Sequence, residues 1–195
     1  RVARVFTSLF IAQTVMAGVP AYAQVTAAPG APAGQKPLID AAANGTPIVL
    51  IAPPSQRGVS RNQYDQLNVG PKGLILNNST ANLQTQIGGW VSGNLQLGRT
   101  PARIILNEVT GPQASQLRGT IEVGGQKADI VIANPNGITC SGCGFLNADR
   151  ATLTTGTPQI GANVTVTGFD GRQGAIQIGP EGLNATEQQQ LDLHA

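Results

Sequence analysis

Few residues in this chain of 195 could carry out chemistry. Cys140 and Cys143 are the only cysteines, and the single histidine, His194, is the last residue but one. A structural zinc site needs four ligands, which two cysteines and one distant histidine cannot supply. Without an internal histidine a Ser-His-Asp triad is also excluded. We therefore expect no catalytic residue, no metal site and no bound cofactor.

The acidic residues do not suggest an active site either. Glycan-cleaving enzymes need clustered carboxylates for acid-base work or calcium binding, and the chain has only ten Asp and Glu. No two of them lie two residues apart, the spacing that puts side chains on one face of a strand. We expect Asp149 with Arg150 to be a solvated corner pair and Asp170 with Arg172 to lie in a turn.

The overall composition argues against several partners and favours β-structure. A formal net charge of +2, from basic residues scattered singly along the chain, is too weak to indicate a phosphate-binding face. Neither nucleic acid nor a small-molecule substrate is expected. Aromatic residues make up only 4% of the chain, while it contains 25 Gly and 13 Pro, which is typical of β-structure built from small residues.

The N-terminal segment has the pattern of a secretory signal. Arg1 and Arg4 precede an apolar stretch, and Ala21-Tyr22-Ala23 forms an A-x-A cleavage site, so residues 1–23 are predicted to be a signal peptide. Residues 24–45 are rich in Ala, Pro and Gly and are expected to be an irregular lead-in. Both ends of the chain are expected to be cut from a longer protein.

Short runs of alternating apolar residues, each closed by Gly, Asn or Pro, predict strands. These runs are Pro47–Ile51, Gly73–Leu76, Ala102–Leu106, Thr120–Val123, Ala128–Ala133, Asn163–Thr167 and Ala175–Ile178. Helical periodicity is almost absent. The segment 184–193 is either a short helix or a loop that leads into another strand.

Three of the apolar runs end in asparagine, at Asn77, Asn107 and Asn134, spaced 30 and 27 residues apart. Asparagine ladders, a thin core of small apolar residues and glycine at the corners are typical of a β-solenoid. An antiparallel sandwich would give the same alternation. The pattern favours the solenoid over the sandwich without deciding between them.

The richest motifs lie between residues 124 and 156. They are Asn-Pro-Asn-Gly-Ile at 134–138, Cys-x-x-Cys-Gly-Phe at 140–145 and Arg-Ala-Thr-Leu-Thr-Thr-Gly at 150–156. Together with stretches 58–64, 68–69 and 73–79, they resemble the N-terminal secretion domain of two-partner secretion exoproteins. This group includes filamentous haemagglutinin adhesins and contact-dependent growth inhibition toxins. One departure is Leu67, which stands where phenylalanine is expected and affects only local packing.

The resemblance implies an all-β fold, a right-handed parallel β-helix with an N-terminal β cap, spanning residues 46–195 and truncated at its C-terminal end. It implies a non-enzymatic domain, expected to be monomeric, that nucleates folding of the β-helix that follows. The implied partner is an outer-membrane β-barrel transporter with periplasmic POTRA domains. Export would then pass through the periplasm of a Gram-negative bacterium to the cell surface or the medium.

The residues expected to form the recognition motif are polar or turn-forming ones in the matching stretches. They are Asn62, Tyr64, Asn68, Asn77, Asn78, Asn134, Pro135, Asn136, Gly137 and Ile138. Local physics predicts a tight turn over residues 134–137, because proline fixes φ and Asn-Gly tolerates left-handed backbone. A lone motif of this kind is usually only a β-turn, and its place inside the resemblance favours a role in secretion.

The two cysteines admit two interpretations. Because a secreted chain enters an oxidising compartment, a local disulfide between Cys140 and Cys143 is favoured, with free thiols as the alternative. A thioredoxin-like redox site is not expected, since no βαβ pattern surrounds the pair. A bridge across so short a loop would pin a corner and not hold the whole fold together.

Two other functions stay open at the level of sequence. An adhesive domain that binds host glycans or receptors would be favoured by exposed aromatic residues on one face. A polysaccharide-degrading β-helix enzyme would show activity that depends on carboxylates.

Overall fold

The structure is a computed structural model that describes residues 24–171 and 174–195. The predicted signal peptide and Arg172 lie outside the described residues. Within the described part, nineteen strands account for nearly all regular structure, and two short 3-10 turns occur at Ala33–Gln35 and Leu95–Leu97. No helix in this part is long and apolar enough to cross a membrane.

Most strands belong to three sheets, which we call A, B and C. Sheet A contains β1 (Val25–Ala27), β4 (Val59–Leu67), β8 (Ile104–Val109), β11 (Asp129–Ala133), β14 (Arg150–Thr154) and β19 (Gln190–His194). Sheet B contains β2 (Leu38–Ala41), β3 (Pro47–Leu50), β5 (Leu74–Asn78), β10 (Thr120–Gly125), β13 (Cys143–Leu146) and β18 (Leu183–Asn184). Sheet C contains β9 (Ser115–Leu117), β12 (Ile138–Cys140) and β17 (Ile176–Ile178).

The chain passes through sheets B, A and C in turn and then repeats the circuit one level further along. Strands β10, β11 and β12 form one such coil, and each pairs in parallel with the equivalent strands of the coils before and after it. Successive coils therefore stack residue on residue, as in a solenoid. The predicted β-helix is confirmed, and the antiparallel sandwich is not formed.

The first coil is covered by two antiparallel strands, which form the predicted N-terminal cap. Strand β1 pairs with β4, and β2 pairs with β3. Both strands fall within residues 24–45, where the sequence predicts an irregular segment, so that expectation is wrong for these residues. The exposed edge of the first coil supplies the backbone partners, and edge positions tolerate the prolines of this segment.

The interior is a column of apolar side chains contributed by the inward-facing positions of the coils. Ile105, Ile130 and Leu153 are fully buried there, and Phe145 is one of its few aromatic residues. Leu67 lies in the same core and is 1% exposed, so leucine fills the position where phenylalanine is expected. A core this thin explains why the sequence has so few aromatic residues.

Two hairpins leave the coils and cover outer faces of the sheets. The hairpin of β6 (Leu83–Thr85) and β7 (Gly89–Val91) packs on the outside of sheet B. The hairpin of β15 (Thr157–Gly161) and β16 (Thr165–Asp170) packs on the outside of sheet A, where Phe169 and Val166 join a cluster with Val131. The strand predicted at 163–167 is therefore part of a hairpin and not of a coil.

Two other segments bear on the strand predictions. For segment 184–193 the second alternative is confirmed, since residues 185–189 form a loop that leads into β19 and no helix is present there. The longest strand, β4, has no apolar alternation in its sequence, since Asn62 and Tyr64 are among its buried residues. The alternation of buried and outward-facing residues in β4 is recognised only once those polar side chains are known to be hydrogen-bonded inside the core.

The predicted three-rung asparagine ladder does not form. Asn77 lies in sheet B, whereas Asn107 lies in sheet A and pairs with Asn62 of the preceding coil. Asn134 lies beyond the end of β11. The ladder that exists has two rungs, in which the Asn62 Nδ2 donates to the Leu106 carbonyl and the Asn107 Nδ2 to the Val131 carbonyl.

Candidate functional site

The Asn-Pro-Asn-Gly-Ile motif forms the corner at which sheet A passes into sheet C. The Gly137 N–H donates to the Asn134 carbonyl at 3.0 Å, which closes the turn. The Asn134 Oδ1 accepts a second bond from the Asn136 backbone N–H at 2.9 Å. The tight turn predicted for residues 134–137 is confirmed.

Only one residue of this turn uses the left-handed backbone region. Gly137 has a φ of +115°, where a Cβ would be strained. Asn136 does not have a positive φ, since the non-glycine residues that do are Asn147, Asn163 and Val164. The turn therefore does not require Asn136 to adopt a left-handed backbone conformation.

The turn is bonded to the preceding coil through its two asparagine side chains. The Asn134 Nδ2 donates to the Gln113 carbonyl and to the Ser115 Oγ, each at 2.9 Å. The Asn136 Nδ2 donates to the Gly111 carbonyl at 2.9 Å. Both amide groups thus satisfy carbonyl oxygens that the corner would otherwise bury without partners.

The next coil lies against the other side of the turn. The Ile138 N–H donates to the Ala175 carbonyl at 3.0 Å. A Cβ on Gly174 would lie 2.4 Å from the Gly137 nitrogen, so these two glycines are in direct backbone contact. The motif is therefore enclosed between the coils before and after it.

A second group of the predicted residues lies inside the core of sheet A. The Tyr64 hydroxyl donates to the Asn107 Oδ1 at 2.9 Å, and the Asn62 Oδ1 accepts from the Ala52 N–H at 2.8 Å. Burial raises the pKa of the Tyr64 phenol. Asn107 completes this network. Its position at the end of an apolar run was its only signal in the sequence.

A third group lies at the corner where sheet B passes into sheet A. The Asn78 Nδ2 donates to the carbonyls of Ala102 and Gln126, each at 2.8 Å, and the Asn77 Nδ2 donates to the Ser92 carbonyl at 2.8 Å. These bonds hold the two ends of the excursion between β5 and β8 to the body of the coil.

The remaining predicted residue, and one that the sequence did not single out, complete the set. Asn68 stands apart, at the entry to sheet C, and accepts from the Gln116 N–H at 2.8 Å. Asn94 is buried and donates to the carbonyls of Ile51 and Asn77. No sequence motif marks Asn94.

The ten predicted recognition residues therefore do not form one surface. Eight of them are buried, namely Asn62, Tyr64, Asn68, Asn77, Asn78, Asn134, Gly137 and Ile138. Asn136 is exposed and Pro135 is half-buried. In the folded chain the buried asparagine and tyrosine side chains among them are hydrogen-bonded internally, and only Pro135 and Asn136 could contact another molecule directly.

Cys140 and Cys143 are bonded as a disulfide in the structure. Both residues are buried at the corner between sheets C and B. The Gly142 N–H between them donates to the Gly182 carbonyl of the next coil at 2.8 Å. The bridge thus pins one corner of the helix against its neighbour.

The acidic residues are paired differently from the sequence expectation. Asp149 bonds to Lys127 at 2.8 Å, and Arg150 bonds to Asp192 at 2.6 Å, so Asp149 and Arg150 are not partners. Desolvation alone would raise the pKa of Asp192, but hydrogen bonds from Gln190 and Arg150, together with the charge of Arg150, lower it. Among the described residues, no group of three potential metal ligands occurs.

Comparison with known proteins places this geometry in context. A family model described as the TPS secretion domain matches residues 23–195. "Toxin CdiA" of Yersinia pestis is 53% identical over 175 residues, which cover 90% of this chain and 5% of that protein. A "tRNA nuclease CdiA" of Escherichia coli (strain STEC_O31) is 43% identical over 190 residues, which cover 95% of this chain and 6% of that protein.

The chain thus spans about a twentieth of the length of these relatives. The crystal structure of a filamentous hemagglutinin secretion domain matches with a TM-score of 0.79 at 37% identity, covering 87% of this chain and 54% of that one. The fold, the capped first coil and the match across nearly all described residues agree, and the chain belongs to the family of TPS secretion domains, the export domains of two-partner secretion.

Proposed function

We propose that this secretion domain is recognised in the periplasm by the POTRA domains of a dedicated outer-membrane β-barrel transporter. The chain then leaves a Gram-negative cell for its surface or the medium. The family match over residues 23–195 carries this proposal, since a two-partner secretion domain implies a transporter as the second partner. The domain itself has no catalytic role, and the nuclease activities named for relatives belong to those much longer proteins.

The transporter reads the motif residues before the chain folds. Asn134 is 0% exposed in the folded chain and its amide bonds are all used, so a folded domain cannot offer it to a partner. In the extended chain the same amide is free to bond with another backbone. Folding outside the cell then withdraws these groups from the transporter, which gives export a direction.

The far end of the described chain supports a role in nucleating the β-helix. Strands β17, β18 and β19 are the last strands of their sheets, so each presents an unpaired edge. Ile178 and Leu193 there are 47% and 45% exposed. Unpaired backbone beside exposed core residues is a template on which a following coil can form without a separate nucleation step.

Adhesion is the weaker candidate. Trp90 is the one aromatic residue among the strongly exposed large apolar side chains of the described part, whereas a glycan platform usually uses several rings. The enzymatic alternative gains nothing, because the buried carboxylate Glu122 serves to cap a hairpin by accepting from the Gln86 and Ile87 N–H groups.

Secretion with and without the transporter tests the proposal directly. The chain is expressed in a Gram-negative host alone or with its partner transporter, and its amount is measured in the periplasm and the medium. We expect the chain in the medium only when the transporter is present. Equal release without the transporter, or retention in its presence, would refute the proposal.

A peptide competition separates recognition of the unfolded motif from recognition of the folded domain. A peptide of residues 129–145 should bind the isolated periplasmic domains of the transporter. A matched peptide with Asn134→Ala and Asn136→Ala should bind much more weakly, because it lacks the two amide groups. If the folded chain binds as tightly as the urea-unfolded chain and neither peptide competes, recognition does not precede folding.

A further inference from the structure

The excursion between β5 and β8 exposes large apolar side chains. Leu95 is 92% exposed and Trp90 is 72% exposed. On the edge strand β2, Leu38 is 51% exposed and pairs with Leu50. We call Leu38, Leu50, Trp90 and Leu95 the apolar strip.

Leu38, Leu50 and Trp90 are neighbours, and Leu95 is linked to them through the adjacent Gln96. Leu50 and Trp90 line one cleft of about 170 Å³, together with Asp40. The Gln96 side chain, next to Leu95, donates to the Leu50 carbonyl at 2.7 Å. Exposing apolar side chains to water is unfavourable, so a patch of them usually marks an interaction surface.

Three arginines lie where the same excursion returns to the coil. Arg57 and Arg103 line a cleft of about 740 Å³, which Thr100 and Pro101 also line. Arg99 precedes Thr100 directly in the chain. We call Arg57, Arg99 and Arg103 the arginine cluster. Gly58, with a φ of +80°, lets the stem of Arg103 pass within about 3 Å of the position its Cβ would occupy.

The arginine cluster differs from three other basic residues of the chain in having no ion-pair partner among the described residues. Arg61, Lys127 and Arg150 each form an ion pair with a carboxylate, whereas no ion pair of the described residues involves the arginine cluster. No carboxylate lines its cleft. Asp129 interacts with Arg103: its backbone N–H donates to the Arg103 carbonyl, and desolvation raises the pKa of the Asp129 carboxyl while the Arg103 charge opposes that effect. The cleft therefore carries a local positive charge, and Arg99 follows Leu95 of the apolar strip by only four residues.

We propose that the folded chain docks on a phosphate-bearing lipid surface, with the arginine cluster on the headgroups and the apolar strip at the headgroup boundary. Guanidinium groups bind phosphate through paired hydrogen bonds. Tryptophan and leucine beside basic residues are typical of segments that lie in a membrane interface. Binding to vesicles distinguishes a lipid surface from the alternative, an acidic protein partner.

The inference concerns the chain after folding, because Arg57 and Arg103 come from successive coils. It therefore does not depend on how the transporter reads the unfolded motif. A chain released at a Gram-negative surface would meet such lipids at once, and docking would hold it there.

Vesicle binding tests this inference with the chain in its secreted form. The chain is mixed with vesicles of phosphatidylcholine alone or of phosphatidylcholine with phosphatidylglycerol. Bound protein is measured by sedimentation, and emission is recorded from Trp90, the only tryptophan of the chain. We expect binding to the anionic vesicles, a blue shift of the Trp90 emission, and loss of both as salt is raised.

Variants identify the surface. Arg57→Gln with Arg103→Gln should weaken binding about tenfold or more, since each arginine near an anionic surface contributes to attraction. Leu95→Ser should weaken it without changing its salt dependence. Lys72→Gln is the matched control, because Lys72 is exposed at the opposite end of sheet B and bonds to the Asn44 carbonyl. Circular dichroism confirms that each variant is folded.

Three results would overturn the inference. The first is equal vesicle binding by the wild type and the double arginine variant. The second is equal binding to neutral and anionic vesicles. The third is a wild-type chain that does not bind vesicles. If replacing the arginines then weakens binding to the transporter's periplasmic domains, the surface is assigned to an acidic protein. Secretion assays are unaffected by the first two outcomes, so the proposed function is judged separately.

Discussion

Gly174 lies directly against the backbone of Gly137, across the gap between two successive coils. A Cβ at position 174 would lie 2.4 Å from the Gly137 nitrogen and 2.7 Å from its Cα. Real Cβ atoms do not come this close to backbone, so any side chain at position 174 would push the coils apart. The corner of the helix is set by this contact as much as by the turn motif itself.

Gly174→Ala is therefore expected to destabilise the chain although it adds one methyl group. Overpacking of this kind costs about 1–3 kcal/mol, which urea unfolding can measure. Gly34→Ala is the control, because nothing lies within 4 Å of a Cβ at Gly34. Equal midpoints for both variants would mean that the coils separate without cost.

Gly137→Val is expected to lower secretion. It forces a β-branched residue to a φ of +115° and places its Cβ 3.2 Å from the Ala175 carbonyl oxygen. Strain of this kind costs roughly 1–3 kcal/mol. In co-expression with the transporter, the secreted amount should fall while synthesis and signal cleavage continue. Wild-type secretion levels of the variant would show that this corner is only a tolerant turn.

Asn136→Asp should be more harmful than Asn136→Ala. The Asn136 Nδ2 donates to the Gly111 carbonyl and to the Asn134 Oδ1. In Asn136→Asp a carboxylate oxygen would replace this donor and would repel both acceptor oxygens. Removal of the donor costs about 1 kcal/mol, and the unfavourable oxygen contacts add to it. Thermal unfolding of both variants checks the order. The reverse order would contradict the hydrogen bonding described for this side chain.

The disulfide is expected to make a modest contribution. Replacing both Cys140 and Cys143 by serine should lower the free energy of unfolding by about 1–3 kcal/mol, because the bridge closes only a very short loop. Urea unfolding of the wild type with and without reductant should show a similar loss. Protein from the periplasm should contain no free thiol, and titration of two reactive thiols would contradict the bridge.

Tyr64→Phe is expected to destabilise the core by about 1–2 kcal/mol, because the Asn107 Oδ1 loses its buried donor. The variant should also respond less to alkaline pH. Since burial raises the pKa of Tyr64 in the folded chain, its phenol ionises only after unfolding once the pH exceeds about 10.

The stability that Tyr64 contributes is thus complete below about pH 10 and falls as pH rises above it. The two proteins are compared by urea unfolding from about pH 8 to about pH 11, a range that spans the usual pKa of a phenol. The free energy of unfolding should decline more steeply for the wild type than for Tyr64→Phe. Parallel declines would show that Tyr64 titrates normally in the fold.

Much of the fold could be predicted from local sequence. Strand β10 alternates in polarity, with Ile121 and Val123 in the core, whereas β3 and β11 are continuous apolar runs because hairpins cover their outer faces. The turn at residues 134–137 follows from the backbone limits of Asn-Pro and Gly. The disulfide joins residues only three apart. For β10, the turn and the disulfide, the physical cause acts within a few neighbouring residues.

The elements that escaped prediction depend on partners far away in the chain. Strand β4 carries buried Asn62 and Tyr64, which are stable inside only because Ala52 and Asn107 bond to them. Strands β1 and β2 form from a segment rich in Ala, Pro and Gly because the first coil offers them an edge. A local pattern cannot report such non-local hydrogen bonds.

The sequence by itself determined the turn and the family resemblance, and through that resemblance the solenoid class, because the motifs rest on residue type and short spacing. Only the tertiary structure decided what the motif asparagines do, since stacking of coils buries Asn134 and leaves Asn136 exposed. It also decided the charge distribution. Arg57 and Arg103 are 46 residues apart and look scattered in the sequence, but one level of stacking brings them into a single cleft.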